Sequence, residues 1–376
     1  MKLIYVSHVH PPSDAKLEHI GGMQTVSIEL LNRLQNSSQV SVFPLLLESP
    51  AQGIEMRVAK FMGLLFLNLP RIVARERADL ILFSSMVTAS LSILLRNQIQ
   101  IPMVAINHGK DTIVPIVPYQ KILPTVFNCL DGVISVSQAT QKATIHRGLQ
   151  PEKSVVLPNG IKIENRVYDK NRSRSIIEKM LNFKFKNKYI LLSVGRQVKR
   201  KGHAWFIETV FPLLERNVIF LAIGEGKERE NLQNLKRQSP FGDRIILPGK
   251  VAPDLLRHAY DAADIFMMPN IPVTGDMEGF GVVILEANEA RTPVVASDLE
   301  GIRDVVCDGR NGYRIQPYDA HQFARVIGDI LDSKLEYLSE SAYQFAIENF
   351  AWETLGDRYI ECLQKIAAKS MIRHDL

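Results

Sequence analysis

Cysteine is scarce, with three residues (Cys129, Cys307 and Cys362) in a chain of 376. They lie far apart, are odd in number and form no C-x-x-C pair, which argues against a disulfide framework or a cysteine-rich zinc site and favours a reducing compartment. Long apolar runs are missing too. The longest, Phe61–Leu69 and Met86–Leu95, are well short of the roughly 20 residues that a membrane-spanning helix needs. The apolar residues after Met1-Lys2 are only a few, with no small-residue cleavage site, so they read as a first β-strand rather than a leader. The expected location is cytoplasmic. Excess charge is modest: the net charge is +5 and the pI about 9.0, which is mild for a nucleic-acid binder. Gly (22) and Pro (19) are near average, and apolar residues make up 46% against 23% charged. That balance excludes collagen-like, low-complexity and disordered chains.

What is present is alternation. Short β-branched apolar runs alternate with helix-like stretches. The first half offers strands at Leu3–Val6, Val40–Leu46, Leu80–Phe83, Met103–Ile106 and Val133–Val136. The second half offers Tyr189–Val194, Val218–Ile223, Ile245–Leu247, Ile265–Met268, Val294–Ala296 and Tyr313–Ile315. Helical periodicity appears at Met23–Leu34, Ala204–Glu215, Phe323–Leu331 and Trp352–Ala368. Strands alternating with helices predict parallel sheets covered on both faces. The alternation breaks at Asn165–Asn187, which predicts an N-terminal α/β domain over residues 1–165 and a C-terminal one over 166–352. The last helix, 353–376, would pack back on the first. Between Arg166 and Lys201 there are 12 Lys and Arg against 2 Asp and Glu. Such a run reads either as a solvated face and linker or as an attractor of phosphates or an anionic membrane.

Several segments carry chemistry. Gly224-Glu225-Gly226 follows a strand, but Arg229 stands where a dinucleotide fingerprint has its third glycine. A tight strand-to-helix turn fits it better. Gly21-Gly22-Met23 opens a helix and would let a phosphate approach backbone N–H groups; a plain turn is the competing reading. Ser193-Val194-Gly195-Arg196 ends a strand and Lys199-Arg200-Lys201-Gly202 follows. Cations there suit a diphosphate, or form a solvated basic loop. The most informative stretch runs from Gly275 to Glu286. Glu278 precedes a Gly279-Phe280-Gly281 turn that should open a helix, with Glu286 eight residues on. Eight helical residues rise about 12 Å, roughly the span from a ribose to a sugar across a diphosphate. An amphipathic helix with surface glutamates is the bland alternative.

Glu278-x7-Glu286 with its Gly-Phe-Gly turn resembles the signature of the retaining GT-B glycosyltransferases of family 4. Most of the chain shares the resemblance: Gly21-Gly22, His108-Gly109, Pro158-Asn159-Gly160-Ile161, Gly195-Arg196 with Lys201-Gly202, Gly249-Lys250-Val251, Ala263-Asp264-Ile265, Pro293-Val294-Val295-Ala296 and Phe350-Ala351-Trp352-Glu353. The chain departs from the family pattern at Ala287-Asn288-Glu289-Ala290-Arg291, where small residues and then Gly are usual.

The resemblance implies two Rossmann-like domains and assigns roles. Arg196 and Lys201 would bind the donor diphosphate, with Gly22 approaching it and Gly195 beside it. Glu286 would hold the ribose and Glu278 the transferred sugar. Gly279, Phe280, Gly281 and Val282 would support sugar hydroxyls and phosphate, the Val251 region would meet the base, and His108 would lie near the sugar. No D-x-D triplet, the usual metal-holding motif of the other major transferase fold, occurs. The expectation is therefore a metal-independent, cofactor-free transfer of a hexose from a UDP- or GDP-sugar to a glycan, lipid or small-molecule acceptor, with no nucleic-acid partner. A sucrose-type or sugar-phosphate synthase would differ only in acceptor, and a catalytically silent nucleotide-sugar-binding or membrane-surface protein is the reading from another class. Residues Glu55–Arg75 mix basic and apolar side chains. They read as a helix packed on the sheet or as one lying on an anionic membrane surface, which would make the protein peripheral on the inner face.

Overall fold

The computed structural model describes residues 1–11, 22–48, 54–164, 166–214 and 217–374. They form two compact units. The first comprises Met1–Lys162 with Ala351–Leu376, and the second Ile163–Phe350.

The first unit holds a six-stranded sheet of β1 (Lys2–His10), β2 (Ser41–Glu48), β3 (Leu80–Phe83), β4 (Met103–Asn107), β5 (Gly132–Ser135) and β6 (Ser154–Val156), in the order β2-β1-β3-β4-β5-β6. Every pairing is parallel, as in Leu3 with both Val42 and Leu80. The inner strands are largely apolar because both faces are covered. All of β3, β4 and β5 is buried. Helix α1 (Gly22–Gln35) turns Val26, Leu30, Leu31 and Leu34 inward at helical spacing. Strand β6 is absent from the expected set. It has three half-buried residues at the sheet edge, too few to show a period.

The second unit repeats the plan with β7 (Tyr189–Val194), β8 (Val218–Ile223), β9 (Ile245–Gly249), β10 (Ile265–Met268), β11 (Val294–Ser297) and β12 (Gly312–Ile315), in the order β12-β11-β10-β7-β8-β9. Its core stacks the rings of Phe206, Phe211 and Phe220 under β7 and β8. The helix expected over Ala204–Glu215 is broken into His203–Trp205, a wide π turn at Phe206–Val210 and a tight turn at Phe211–Leu213; Glu215 lies outside the described residues. Pro212 has no N–H with which to continue the ladder.

The division between the units falls at Lys162 and at Phe350, a few residues before the expected boundaries. Local packing explains why. Ile161 bridges to Ala351, Trp352 N–H donates to the Ile161 carbonyl at 3.1 Å, and the Trp352 ring sits over Gly160 with no room for a Cβ. Arg33 fastens the final helix by donating to the Trp352 carbonyl and pairing with Asp357.

The basic run is not a bare linker, and only part of it is a solvated face: Arg172, Lys179, Lys184, Lys186, Arg196 and Lys199 are exposed. Asp169 caps the helix Lys170–Leu181 inside the second unit. Arg166 pairs with Asp261 and Glu289, and Lys170 and Arg174 share the buried Asp264. Acids about 90 to 125 residues downstream neutralise Arg166, Lys170 and Arg174, so a count of local charge overstates the cationic surface.

Candidate functional site

In open parallel sheets ligands gather outside the carboxyl ends of the strands, where the strand order reverses. In the second unit that point lies between β7 and β10, and the loops leaving these two strands carry the charged groups.

The loop after β7 turns at Gly195 (φ +140°) and closes as a short 3-10 turn, Lys199–Lys201. Gly202 ends it at φ +68°, where a Cβ would lie 1.8 Å from the Pro269 carbonyl oxygen. Only glycine lets the β7 loop touch the β10 loop here. The turn directs Arg200 and Lys201 inward, and both are buried. The loop after β10 supplies Asn270, Asp276 and Glu278. Glu278 Oε2 accepts from Lys201 Nζ at 2.7 Å, from Asn270 Nδ2 at 3.2 Å and from an Arg200 guanidinium N–H. Arg200 also faces Asp276 at 3.3 Å. Burial pushes the Glu278 carboxyl up, but Lys201 and Arg200 more than offset it and hold the group at about 2. Burial lowers the Lys201 ammonium, while Glu278 pulls it back up. The result is a largely buried carboxylate that stays ionised, ringed by two cations and an amide.

Next comes the Gly279-Phe280-Gly281 turn. Phe280 is buried against Phe350, and Gly281 (φ +94°) caps the helix Val282–Glu289. The Gly-aromatic-Gly segment therefore opens a helix, as the spacing predicts. Glu286, one turn from its end, accepts from the Tyr260 hydroxyl at 2.6 Å. Burial raises the Glu286 carboxyl, and the Tyr260 bond opposes that rise. Val251 is half-buried, just past β9. Arg196 is exposed and adds to the lowering of Lys201, while the guanidinium that bonds to Glu278 is that of Arg200. Three consecutive basic residues give no clue from sequence as to which two the 3-10 turn folds inward. Tyr260, Asn270 and Glu300 were equally silent, because their partners lie 8 to 26 residues away along the chain. At Arg291, where the family pattern has glycine, the backbone sits at φ +58°; the guanidinium stacks 4.1 Å over Tyr343 and pairs with Glu340.

Gly224 fits its reading as a tight turn. Its φ is +141°, and a Cβ would lie 1.9 Å from the Gly195 carbonyl oxygen. The loops after β7 and β8 nest there, Gly195 N–H donating to Ile223 and Gln197 N–H to Glu225.

In the first unit the strand order reverses between β1 and β3, and a second polar group gathers there. His8 on β1 meets Ser85 just past β3, Nδ1 to Oγ at 3.2 Å. His108, half-buried after β4, places Nε2 2.9 Å from the Ser84 carbonyl oxygen. Asp111 accepts from the Met86 N–H at 3.2 Å. Burial lowers the His8 imidazole, with Asp111 opposing. Gly22 is exposed at the first position of α1, and nothing would lie within 4 Å of a Cβ there; Gly21 lies outside the described residues.

Among known proteins, the sequence pattern described as Glycosyltransferase Family 4 matches residues 20–165, and that described as Glycosyl transferases group 1 matches residues 177–345. The lipopolysaccharide core biosynthesis glycosyltransferase LpsE of Rhizobium meliloti is 34% identical over 176 residues, which is 46% of this chain and 49% of that one. The GDP-mannose-dependent alpha-(1-6)-phosphatidylinositol monomannoside mannosyltransferase of Mycolicibacterium smegmatis is 26% identical over 270 residues, 69% of each chain. The chain thus spans about half of the one relative and about two thirds of the other. Among solved structures, Anabaena HepE in complex with UDP-glucose superimposes with a TM-score of 0.74 at 20% identity, covering 97% of this chain and 100% of that one. The two patterns account for most of the sequence. The chain belongs to the family-4, group-1 glycosyltransferases and has their GT-B fold.

Proposed function

We propose that the protein transfers a hexose from a nucleoside-diphosphate sugar to a hydroxyl acceptor, with retention of anomeric configuration and without a metal ion. The carrying observation is the ionised Glu278, clasped by Lys201 and Arg200 where the strand order reverses. A carboxylate at the mouth of a Gly-Phe-Gly turn accepts hydrogen bonds from sugar hydroxyls. The cations beside it, together with Arg196, neutralise the charge that develops on the leaving diphosphate. Glu286, oriented by Tyr260, suits the vicinal hydroxyls of a ribose. The Glu278 carboxylate is tied to Lys201, Arg200 and Asn270 rather than left free as a covalent nucleophile. The acceptor oxygen therefore attacks C1 on the face the phosphate leaves. The C1–O(phosphate) bond breaks, the C1–O(acceptor) bond forms, and the acceptor proton passes to the departing phosphate oxygen.

A lipid or lipid-linked acceptor on an anionic membrane surface belongs to this reading. Its support is α2 (Ile54–Glu76), which buries Leu65 and Leu69 but exposes Met56, Leu64 and Leu67 alongside Lys60 and Arg71. The mannosyltransferase relative is named for a phosphatidylinositol monomannoside. No helix of the described residues is long and apolar enough to cross a membrane.

The test is incubation with UDP- and GDP-hexoses and hydroxyl acceptors, with and without EDTA, followed by the anomeric assignment of the product. Transfer that survives EDTA and retains configuration is the expected result. An inverted product overturns the front-face mechanism, and loss of transfer in EDTA overturns metal independence. Absence of binding to any nucleotide sugar by folded protein favours a silent scaffold.

A further inference from the structure

Resting on that reading of the donor site, we infer that Glu300 is a positioning residue that clamps the Glu278 turn in its working geometry. It follows β11 and starts the 3-10 turn Glu300–Asp304. Its carboxylate Oε2 accepts the backbone N–H of Glu278. One residue on, Gly301 N–H donates to the Glu278 carbonyl at 3.1 Å. The two ends of one peptide segment are thus held by neighbouring residues of another. Contact between the segments is close, since a Cβ on Gly301 would lie 2.2 Å from the Gly279 carbonyl oxygen.

The backbone at Glu300 gives the second reason. Its φ is +45°, in the left-handed region that costs a side chain and suits glycine. A glutamate held there must be fixed by its contacts. The contact is the Glu278 amide, in the presence of other charges: Arg200, Asp276 and the Glu278 carboxylate all act on Glu300. Burial, with Glu278 and Asp276 adding to it, raises the Glu300 carboxyl, while the amide bond and Arg200 lower it. Glu278 is thus held by its carboxylate through Lys201, Arg200 and Asn270, and by its amide through Glu300.

Two variants of the full chain test this. Glu300→Gly removes the acceptor and relaxes the backbone, so any loss cannot come from a strained fold. Glu300→Gln keeps an acceptor oxygen and removes the charge. Amide hydrogen exchange is followed over residues 276–282, and turnover is measured with UDP-glucose and GDP-mannose. For Glu300→Gly the Glu278 amide is expected to exchange about 10-fold faster or more. Its kcat should fall about 10- to 100-fold, with donor KM changing less than about 3-fold, because misplacement of a transition-state contact acts on kcat. Glu300→Gln should recover most of both. Unchanged exchange at Glu278 in Glu300→Gly, or an unchanged kcat, overturns the clamp. If the wild-type chain turns over no nucleotide sugar, the transferase reading fails on its own, and the exchange arm still decides whether Glu300 holds the turn.

Discussion

Glu278 sits where two cations and an amide would otherwise compete for water. With Arg200 and Lys201 both buried, its carboxylate is what allows two positive charges to lie side by side. Removing one partner of a buried ion cluster costs roughly 3–5 kcal/mol, because the remaining charge is stranded. Glu278→Gln is therefore expected to lose stability by about 3 kcal/mol in urea unfolding and to lower turnover by at least about 10²-fold. Lys201→Ala should match that loss of turnover but cost less stability, since Arg200 still compensates Glu278. In the double variant the stability losses should fall well short of additive, as they do for residues in direct contact. Additive losses would mean that the two side chains act independently, against the 2.7 Å contact between them. The sequence pattern singled out Glu278, Glu286 and Lys201 because all stand at fixed offsets from strand ends and glycines. It did not separate Arg200 from its basic neighbours, because inward direction is set by a 3-10 turn and not by residue type.

At the scale of elements, most of the architecture was legible. Fully buried parallel strands read as unbroken apolar runs, and those at Leu80–Phe83, Tyr189–Val194, Val218–Ile223 and Ile265–Met268 match residue for residue. Elements whose shape depends on tertiary partners were not legible: the edge strand β6, the π turn before Pro212, and the helix Lys170–Leu181, whose basic face is paired with Asp264. Helix α2 shows the converse. Its buried stripe follows the helical period, yet Leu64 and Leu67 remain exposed between Lys60 and Arg71. An apolar strip flanked by cations should bind anionic vesicles, through apolar insertion plus attraction to the headgroups. Flotation with phosphatidylserine-containing liposomes at low salt should carry the protein upward, and high salt should weaken it. Leu64→Glu with Leu67→Glu should abolish flotation and leave transfer to a water-soluble acceptor intact. No flotation of the wild type at low salt ends the membrane reading.

At the scale of the whole molecule, two buried imidazoles, His8 and His203, and a half-buried one, His10, are shifted in one direction among the described residues, and that direction sets the response to acid. Burial lowers His8, His10 and His203, the last to about 3. His203 lies immediately beyond the β7 loop, its Nε2 2.9 Å from Ser193 Oγ, with Lys201 adding to the lowering. A histidine whose folded pKa is depressed contributes stability that is complete above its unfolded value near 6.5 and is lost as the pH falls toward the folded one. For His203 the loss between pH 6.5 and 5 is about 2 kcal/mol, at about 1.4 kcal/mol per pH unit. Glu278 extends the trend further into acid, because its folded value of about 2 lies below the ordinary 4.5. Glu286 and Glu300 are raised instead; the stability they add is complete below 4.5 and is lost as the pH rises from there through their folded values, so over that span they oppose the trend. Melting temperature should thus be highest near neutrality and drop by about 5 °C or more between pH 7 and pH 5. His203→Gln keeps a polar partner for Ser193 and cannot charge in this window. It should start from a lower melting point at pH 7 and show a shallower fall on acidification. An equal fall in the variant and the wild type would remove His203 as the source and leave His8 and His10, in the other unit, to account for it.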